Sequence, residues 1–236
     1  MAIKAVLFDL DGTLLPMDQD VFMKYYFGGL AKRLAPYGYE PKPLIDAVWA
    51  GSVAMVKNDG SRTNESVFWD KFAEILGEGI RAHEKELEDF YRNEFLAAKA
   101  ACEENPMARK IIDRLKERGI SVVLATNPLF PSIATEARMS WIGLNKEDFL
   151  LVTTYENSGS CKPNPQYYRE ILEKIGYAPE YCLMVGNDVD EDMIAEDLGM
   201  KVFLVTDCLL NQKGKDISRY PSGDFDALLR YLDEVV

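Results

Sequence analysis

The sequence predicts an α/β protein: a doubly wound parallel sheet, interrupted after its first strand by a helical module. Three observations predict it. Short, continuous apolar runs recur along the chain, the pattern of strands covered on both faces. Beyond residue 105, stretches with helical periodicity and capping residues separate these runs, the rhythm of right-handed β-α-β crossovers. From residue 17 to 101 the strand signature is missing and only helical patterns remain.

The first run is Ala5-Val6-Leu7-Phe8. Helical patterns follow over Val21–Leu34, Pro43–Val56, Glu65–Leu76 and Lys85–Ala101, with Gly28-Gly29 read as a break in the first of them. Ala108 to Arg118 then sets Ile111, Ile112 and Leu115 on one face and stops at Gly119. Strand-like runs return at Ile120–Ala125, Phe149–Val152, Cys182–Val185 and Val202–Val205. Asn164-Pro165 supplies a cap and a first-turn proline for another helix, which carries Tyr168, Ile171, Leu172 and Ile175 and ends at Gly176. The division implied is a core of residues 1–16 and 102–236 and a helical domain of residues 17–101.

Composition removes several function classes. With 27 basic and 39 acidic side chains, a net charge of −12 argues against a nucleic-acid partner. No apolar stretch is long enough to cross a membrane, and the start MAIKAVLFDLDG turns acidic too early for a signal peptide. Cys102, Cys161, Cys182 and Cys208 have no CxxC spacing and read as reduced thiols of a cytoplasmic protein. The single histidine, His83, lies in a charged run with the pattern of a solvated helix face, so multi-histidine metal sites are excluded and a Ser-His-Asp triad is disfavoured. Catalysis here falls to carboxylates.

Ligands of open α/β sheets bind beyond the carboxyl ends of the strands. The first run is followed there by Asp9-Leu10-Asp11-Gly12-Thr13. Two neighbouring carboxylates raise each other's pKa unless a cation lies between them, so the pair suggests either Mg²⁺ or a proton-shuttling carboxyl beside an ionised one. Thr126-Asn127 ends the second run and offers a hydroxyl and N–H groups to phosphate oxygens. Lys162 precedes a helix start, where it can neutralise an anion or a nucleophilic carboxylate. The fourth run ends Gly186-Asn187-Asp188-Val189-Asp190-Glu191-Asp192, a concentration of acids that suggests a cation site.

In this order the segments resemble the haloacid dehalogenase superfamily: FDLDGTLL its first motif, LATN its second, KPNPQYY its third and MVGNDVDED its fourth. The inserted helices resemble the cap that one branch of that superfamily carries on its Rossmann-like core. The resemblance implies Asp9 as a nucleophile that becomes an aspartyl-phosphate and Asp11 as general acid and base. It implies Thr126 and Asn127 as the phosphate-binding pair and Lys162 as the partner of Asp9. It also implies a Mg²⁺ cofactor held among Asp9, Asp11, Asn187, Asp188 and Asp192. One departure stands out: Asn187 occupies the place where the family usually has aspartate. Asn187 keeps the commoner spacing to Asp192, and Asp188 fits a shorter variant, so both are candidate ligands.

The implied activity is hydrolysis of a small, soluble phosphomonoester. The alternatives are a sugar phosphomutase, a phosphonatase using Lys24, Lys32 or Lys57, and a non-catalytic phospho-ligand binder. The metabolite and the oligomeric state are left open, a monomer being compatible. Phe22, Tyr25, Tyr26, Phe27, Trp49, Phe68 and Trp69 read as the core of the helical module in preference to a pocket lining.

Overall fold

The computed structural model describes residues 2–236. Six parallel strands, β1 (Ala5–Phe8), β2 (Ser121–Leu124), β3 (Leu151–Val152), β4 (Cys182–Gly186), β5 (Lys201–Val205) and β6 (Ser222–Gly223), form one sheet in the order β3-β2-β1-β4-β5-β6. Successive residues of a strand face opposite sides. Val6 and Phe8 therefore enter one apolar cluster with Leu124 and Val185, while Ala5 and Leu7 enter a second with Val123 and Met184. This is the α/β architecture that the apolar runs predict. Two strands depart from the sequence reading. Only Leu151 and Val152 of the third run pair, Leu150 being 58% exposed, and the edge strand β6 has no apolar run to announce it.

Four helices follow β1: α1 (Gln19–Leu34), α2 (Pro41–Val56), α3 (Asn64–Leu76) and α4 (Glu84–Arg92). Asp18 and Thr63 cap α1 and α3, their side chains accepting from Val21 N and Ser66 N. The predicted helix over Lys85–Ala101 divides at Asn93, beyond which Glu94–Ala101 is 3₁₀. The Asn93 amide donates to Asp89 O at 2.7 Å, a side-chain bond that competes with the helical ladder. Gly28 and Gly29 break nothing: both lie inside α1, and a Cβ on Gly29 would stand 3.1 Å from the Phe90 ring, so the missing side chain admits α4. The chain leaves and re-enters the sheet region side by side, through an antiparallel bridge of Met17 and Cys102.

The crossovers are α5 (Pro106–Glu117), α6 (Ser132–Trp141) and α7 (Pro165–Ile175), with α8 (Phe225–Val235) closing the fold. Asn164 caps α7 by accepting from Gln166 N, and Asn105 caps α5 by accepting from Ala108 N. The apolar cluster on one face of the sheet continues without interruption into the insert, joining Phe22, Tyr26 and Trp69 to Trp141 and Leu232. All four cysteines are free thiols, and no helix among the described residues is long and apolar enough to cross a membrane.

Candidate active site

The register of the sheet assembles the site. Phe8 pairs with Leu124 on one side and Val185 on the other, so three strands end level. Two further bonds extend the match, Ala125 N to Phe8 O at 2.7 Å and Asp9 N to Val185 O at 2.9 Å. Asp9, Thr126 and Asn187 thereby start from one edge, the crevice where such sheets bind ligands.

Asp9 is buried and its two oxygens are held separately. Oδ1 accepts from Lys162 Nζ at 2.8 Å, and Oδ2 accepts from the Thr13 hydroxyl at 3.1 Å. The same hydroxyl lies 3.0 Å from Asn187 Oδ1, so one proton serves two acceptors and ties carboxylate to carboxamide. Lys162 is 1% exposed and also donates to Asp192 Oδ1 at 2.7 Å. Burial works against its charge, but Asp192 and Asp9 more than offset that and hold the ammonium well above the ordinary lysine range. A tight turn follows Asp9, with Gly12 N bonded to Leu15 O at 2.8 Å. Gly12 has φ +85°, and a Cβ there would lie 2.4 Å from Asn187 Nδ2, so only glycine lets the first and fourth motifs meet.

Asp11 does not share a cation with Asp9; it has its own. Oδ2 accepts from Arg138, which α6 carries at 1% exposure beneath the Phe130 ring, 4.5 Å from its centroid. Asp11 Oδ1 is buried and has no hydrogen-bond partner. Burial raises the Asp11 carboxyl above the ordinary aspartate value, Arg138 opposes that, and the Asp9 charge adds to it. A second buried oxygen without a partner, Asn127 Oδ1, lies in the same crevice. Its amide nitrogen donates to Glu191 at 3.0 Å, and burial pushes Glu191 up to about 7. Thr126 is set by its carbonyl, which accepts from Tyr167 Oη at 2.9 Å and Thr153 Oγ1 at 2.7 Å.

The acids of the fourth motif are shared out. Asp188 accepts from Asp190 N and Glu191 N within its own loop, Asp190 pairs with Lys213 and Lys215, and Asp192 takes Lys162 and Asp188 N. The sequence treats this run as costly without a cation, and the structure supplies most of the compensation from donors of the chain itself. Among the described residues, no group of three or more acidic, histidine or cysteine side chains converges on one point. Oxygens open to a hard divalent cation are the Asp9 carboxylate and Asn187 Oδ1, joined through Thr13, and Asp188 Oδ2, since the donors of the Asp188 loop take only its Oδ1. Oxygen donors of this kind fit Mg²⁺, with one negative charge fewer than an aspartate at position 187 supplies.

Three contributors escape a reading of the sequence. Thr13 is visible as a hydroxyl, but its bridging position is not. Arg138 shares its helix face with Ala134, Thr135 and Met139, and a charge inside a buried stripe is the signal that finds it. Asn64 opens α3 inside the insert and is fully buried; its Nδ2 reaches Pro128 O and Ser160 O, each at 3.4 Å. His83, in contrast, packs 4.4 Å from the Tyr37 ring rather than on a solvated face, and takes no part in the crevice.

Comparison with known proteins shows the family of the chain. Phosphoglycolate phosphatase of Aquifex aeolicus is 27% identical over 81% of this chain and 79% of its own length. Pyrophosphatase PpaX of Bacillus velezensis is 23% identical over 84% of this chain and 81% of its own. Among solved structures, a phosphatase from Thermococcus onnurineus superposes with a TM-score of 0.62 at 18% identity, covering 98% of each chain. CbbY from Rhodobacter sphaeroides in complex with phosphate gives 0.60 at 18% identity, over 98% of this chain and 99% of that one. The haloacid dehalogenase-like hydrolase family model matches residues 3–195. The chain therefore belongs to the haloacid dehalogenase-like hydrolases, an enzyme family in which its relatives are phosphatases.

Proposed function

We propose that this hydrolase is a Mg²⁺-dependent phosphatase acting on a small phosphomonoester through Asp9. The observation that carries the reading is the Lys162 ammonium, buried between Asp9 at 2.8 Å and Asp192 at 2.7 Å. A lysine so placed sets a positive charge against the carboxylate proposed to attack phosphorus and fixes that carboxylate's orientation. The Asp9 carboxylate bonds to phosphorus as the ester oxygen departs, and Asp11 delivers the proton that oxygen needs. Water then adds to the aspartyl-phosphate, gives its proton to Asp11, and releases inorganic phosphate with Asp9 restored. Thr126 and the Asn127 backbone receive the transferring oxygens. Asp9, the Asp11 carbonyl, Asn187 and Asp188 would hold Mg²⁺, whose charge neutralises those oxygens. Asp192, engaged by Lys162, serves as a support of that set.

Residues 17–101 then form a cap over the crevice, and the reduced thiols agree with a cytoplasmic setting. The phosphonatase alternative loses support, because Lys24, Lys32 and Lys57 are all exposed and a Schiff-base lysine needs a desolvated amine. The test is phosphate release from an aryl phosphate with Mg²⁺ and with EDTA, in wild type and Asp9→Asn. We expect metal-dependent release that falls by at least about a thousandfold in the variant. Undiminished turnover by a folded Asp9→Asn protein would remove the nucleophile assignment.

A further inference from the structure

A cavity of ≈ 250 Å³ lies between α1, α2, α3 and the segment Leu129-Phe130-Pro131 that follows Asn127 and Pro128. Its walls are aromatic: Phe27, Trp49, Phe68, Trp69, Tyr91 and Phe130 contribute rings. Five of the seven aromatic residues that the sequence assigns to core thus line a space, and Trp49 is 51% exposed. Phe130 belongs to both places: it lines the cavity and its ring lies against Arg138, the partner of Asp11. The cavity therefore adjoins the crevice at Phe130, with that ring and the Arg138 side chain between it and the carboxyl proposed to protonate the leaving oxygen.

Three hydroxyls of the wall are already committed. Tyr26 and Tyr91 bond to each other at 3.2 Å, and the Ser52 hydroxyl returns to Val48 O at 3.0 Å. Among the described lining residues there is no Lys, Arg or His. An adjoining space shares Trp69, Leu87, Tyr91, Pro131 and Tyr155 with it and adds Glu65, Glu84, Glu88 and Glu156 against one Arg92. An anion entering such a wall loses its hydration and gains no partner.

Resting on the phosphatase reading above, we infer that the leaving group of the substrate is an uncharged, apolar, ring-sized alcohol, seated in this cavity. A carboxylate or a second phosphate, as in phosphoglycolate or pyrophosphate, has nothing there to receive it. The size agrees, since an apolar cavity of about 150 Å³ admits a benzene molecule and this one is larger.

Binding is measured on the Asp9→Asn protein, so that no turnover intervenes, with 1-naphthyl phosphate, phosphoglycolate, pyrophosphate and phosphocholine as ligands. We expect 1-naphthyl phosphate to bind at least tenfold more tightly than the other three, and Ser52→Phe to reduce that preference tenfold by filling the space. Should Ser52→Phe not fold, Val48→Phe fills the same wall. Equal or tighter binding of phosphoglycolate or pyrophosphate would overturn the inference. Tighter binding of phosphocholine would overturn it too, in favour of a cationic leaving group facing aromatic rings and the glutamates. Acetyl phosphate hydrolysis by the wild type separates the two claims. Asp9-dependent release without any aryl preference sinks the cavity inference alone, whereas aryl preference without release sinks the phosphatase reading alone.

Discussion

At the ends of β1 and β4 each buried charge has a partner of opposite sign: Lys162 with Asp9 and Asp192, Arg138 with Asp11. Between α1, α2 and α3 the polar atoms are turned on one another, and a space remains. The first region is fixed by ion pairs that tolerate no loss, because removing one partner strands the other in a medium that solvates it poorly. The second is fixed by ring packing, in which Phe68 stacks on Phe72 at 5.1 Å and Trp69 meets Phe72 edge-on at 5.9 Å. Damage to the crevice should therefore cost stability and turnover together, and damage to the cavity should cost ligand affinity first.

Lys162→Met is the severest test of that contrast. It leaves Asp9 and Asp192 facing each other without a cation, at an expected cost of about 3–5 kcal/mol in denaturant unfolding. Adding Asp192→Asn should restore most of the stability and little of the phosphate release. Recovery of both would mean that Lys162 serves the fold alone.

In the cavity the corresponding change is Gly51→Ala. A Cβ there would stand 2.5 Å from the Phe68 ring, which has the open space to retreat into. Crowding costs about 1–3 kcal/mol and the helix gains about 1 kcal/mol from alanine, so a net loss of roughly 1 kcal/mol is expected. The aryl ligand should bind at least about tenfold more weakly, as one lost ring contact requires. A large stability loss with unchanged affinity would erase the distinction between the two regions.

The last effect falls on stability alone and concerns an ion pair far from the crevice. Asp148 accepts from Arg109 at 2.6 Å, Lys116 at 2.8 Å and Asn145 N at 3.0 Å. Burial alone would raise its carboxyl, but these three donors reverse that and hold it at about 2, below the ordinary 3.8. A depressed folded pKa stabilises the protein above the unfolded value and loses that contribution as acid titrates it. Asp148→Asn should thus cost roughly 1–2 kcal/mol at neutral pH, and the gap to wild type should close as pH falls from about 4 to about 2. A gap that stays constant over that range would assign Asp148 to packing or capping.

Much of the crevice is legible in the sequence because its residues sit at strand ends, where local sequence dictates position. Asp9, Thr126, Lys162 and Asn187 each follow an apolar run or open a capped helix, and parallel register brings them to one edge. Arg138 and Asn64 were not legible, since they come from a helix face and a helix start whose importance depends on what packs against them. The cavity was hidden for the same reason, although Phe22, Tyr26 and Trp69 do lie in the core to which the sequence assigns them. Helical spacing places Tyr26, Phe27, Trp49, Phe68 and Trp69 on inward faces but does not say whether the faces meet. Strand β6 lacked any apolar signal because it pairs at an edge, where one neighbour suffices.

The apolar cluster that runs from Val6 through Phe22 and Trp69 to Trp141 has a thermodynamic consequence. Phe95 lies 5.6 Å from Trp141 and Phe22 lies 6.2 Å from Phe130, so rings of the insert and of the sheet-covering segment interleave. Neither part can expose its apolar surface without stripping the other. Heating should consequently produce one cooperative melting transition, with calorimetric and van't Hoff enthalpies in agreement, despite a chain interrupted by a long insertion.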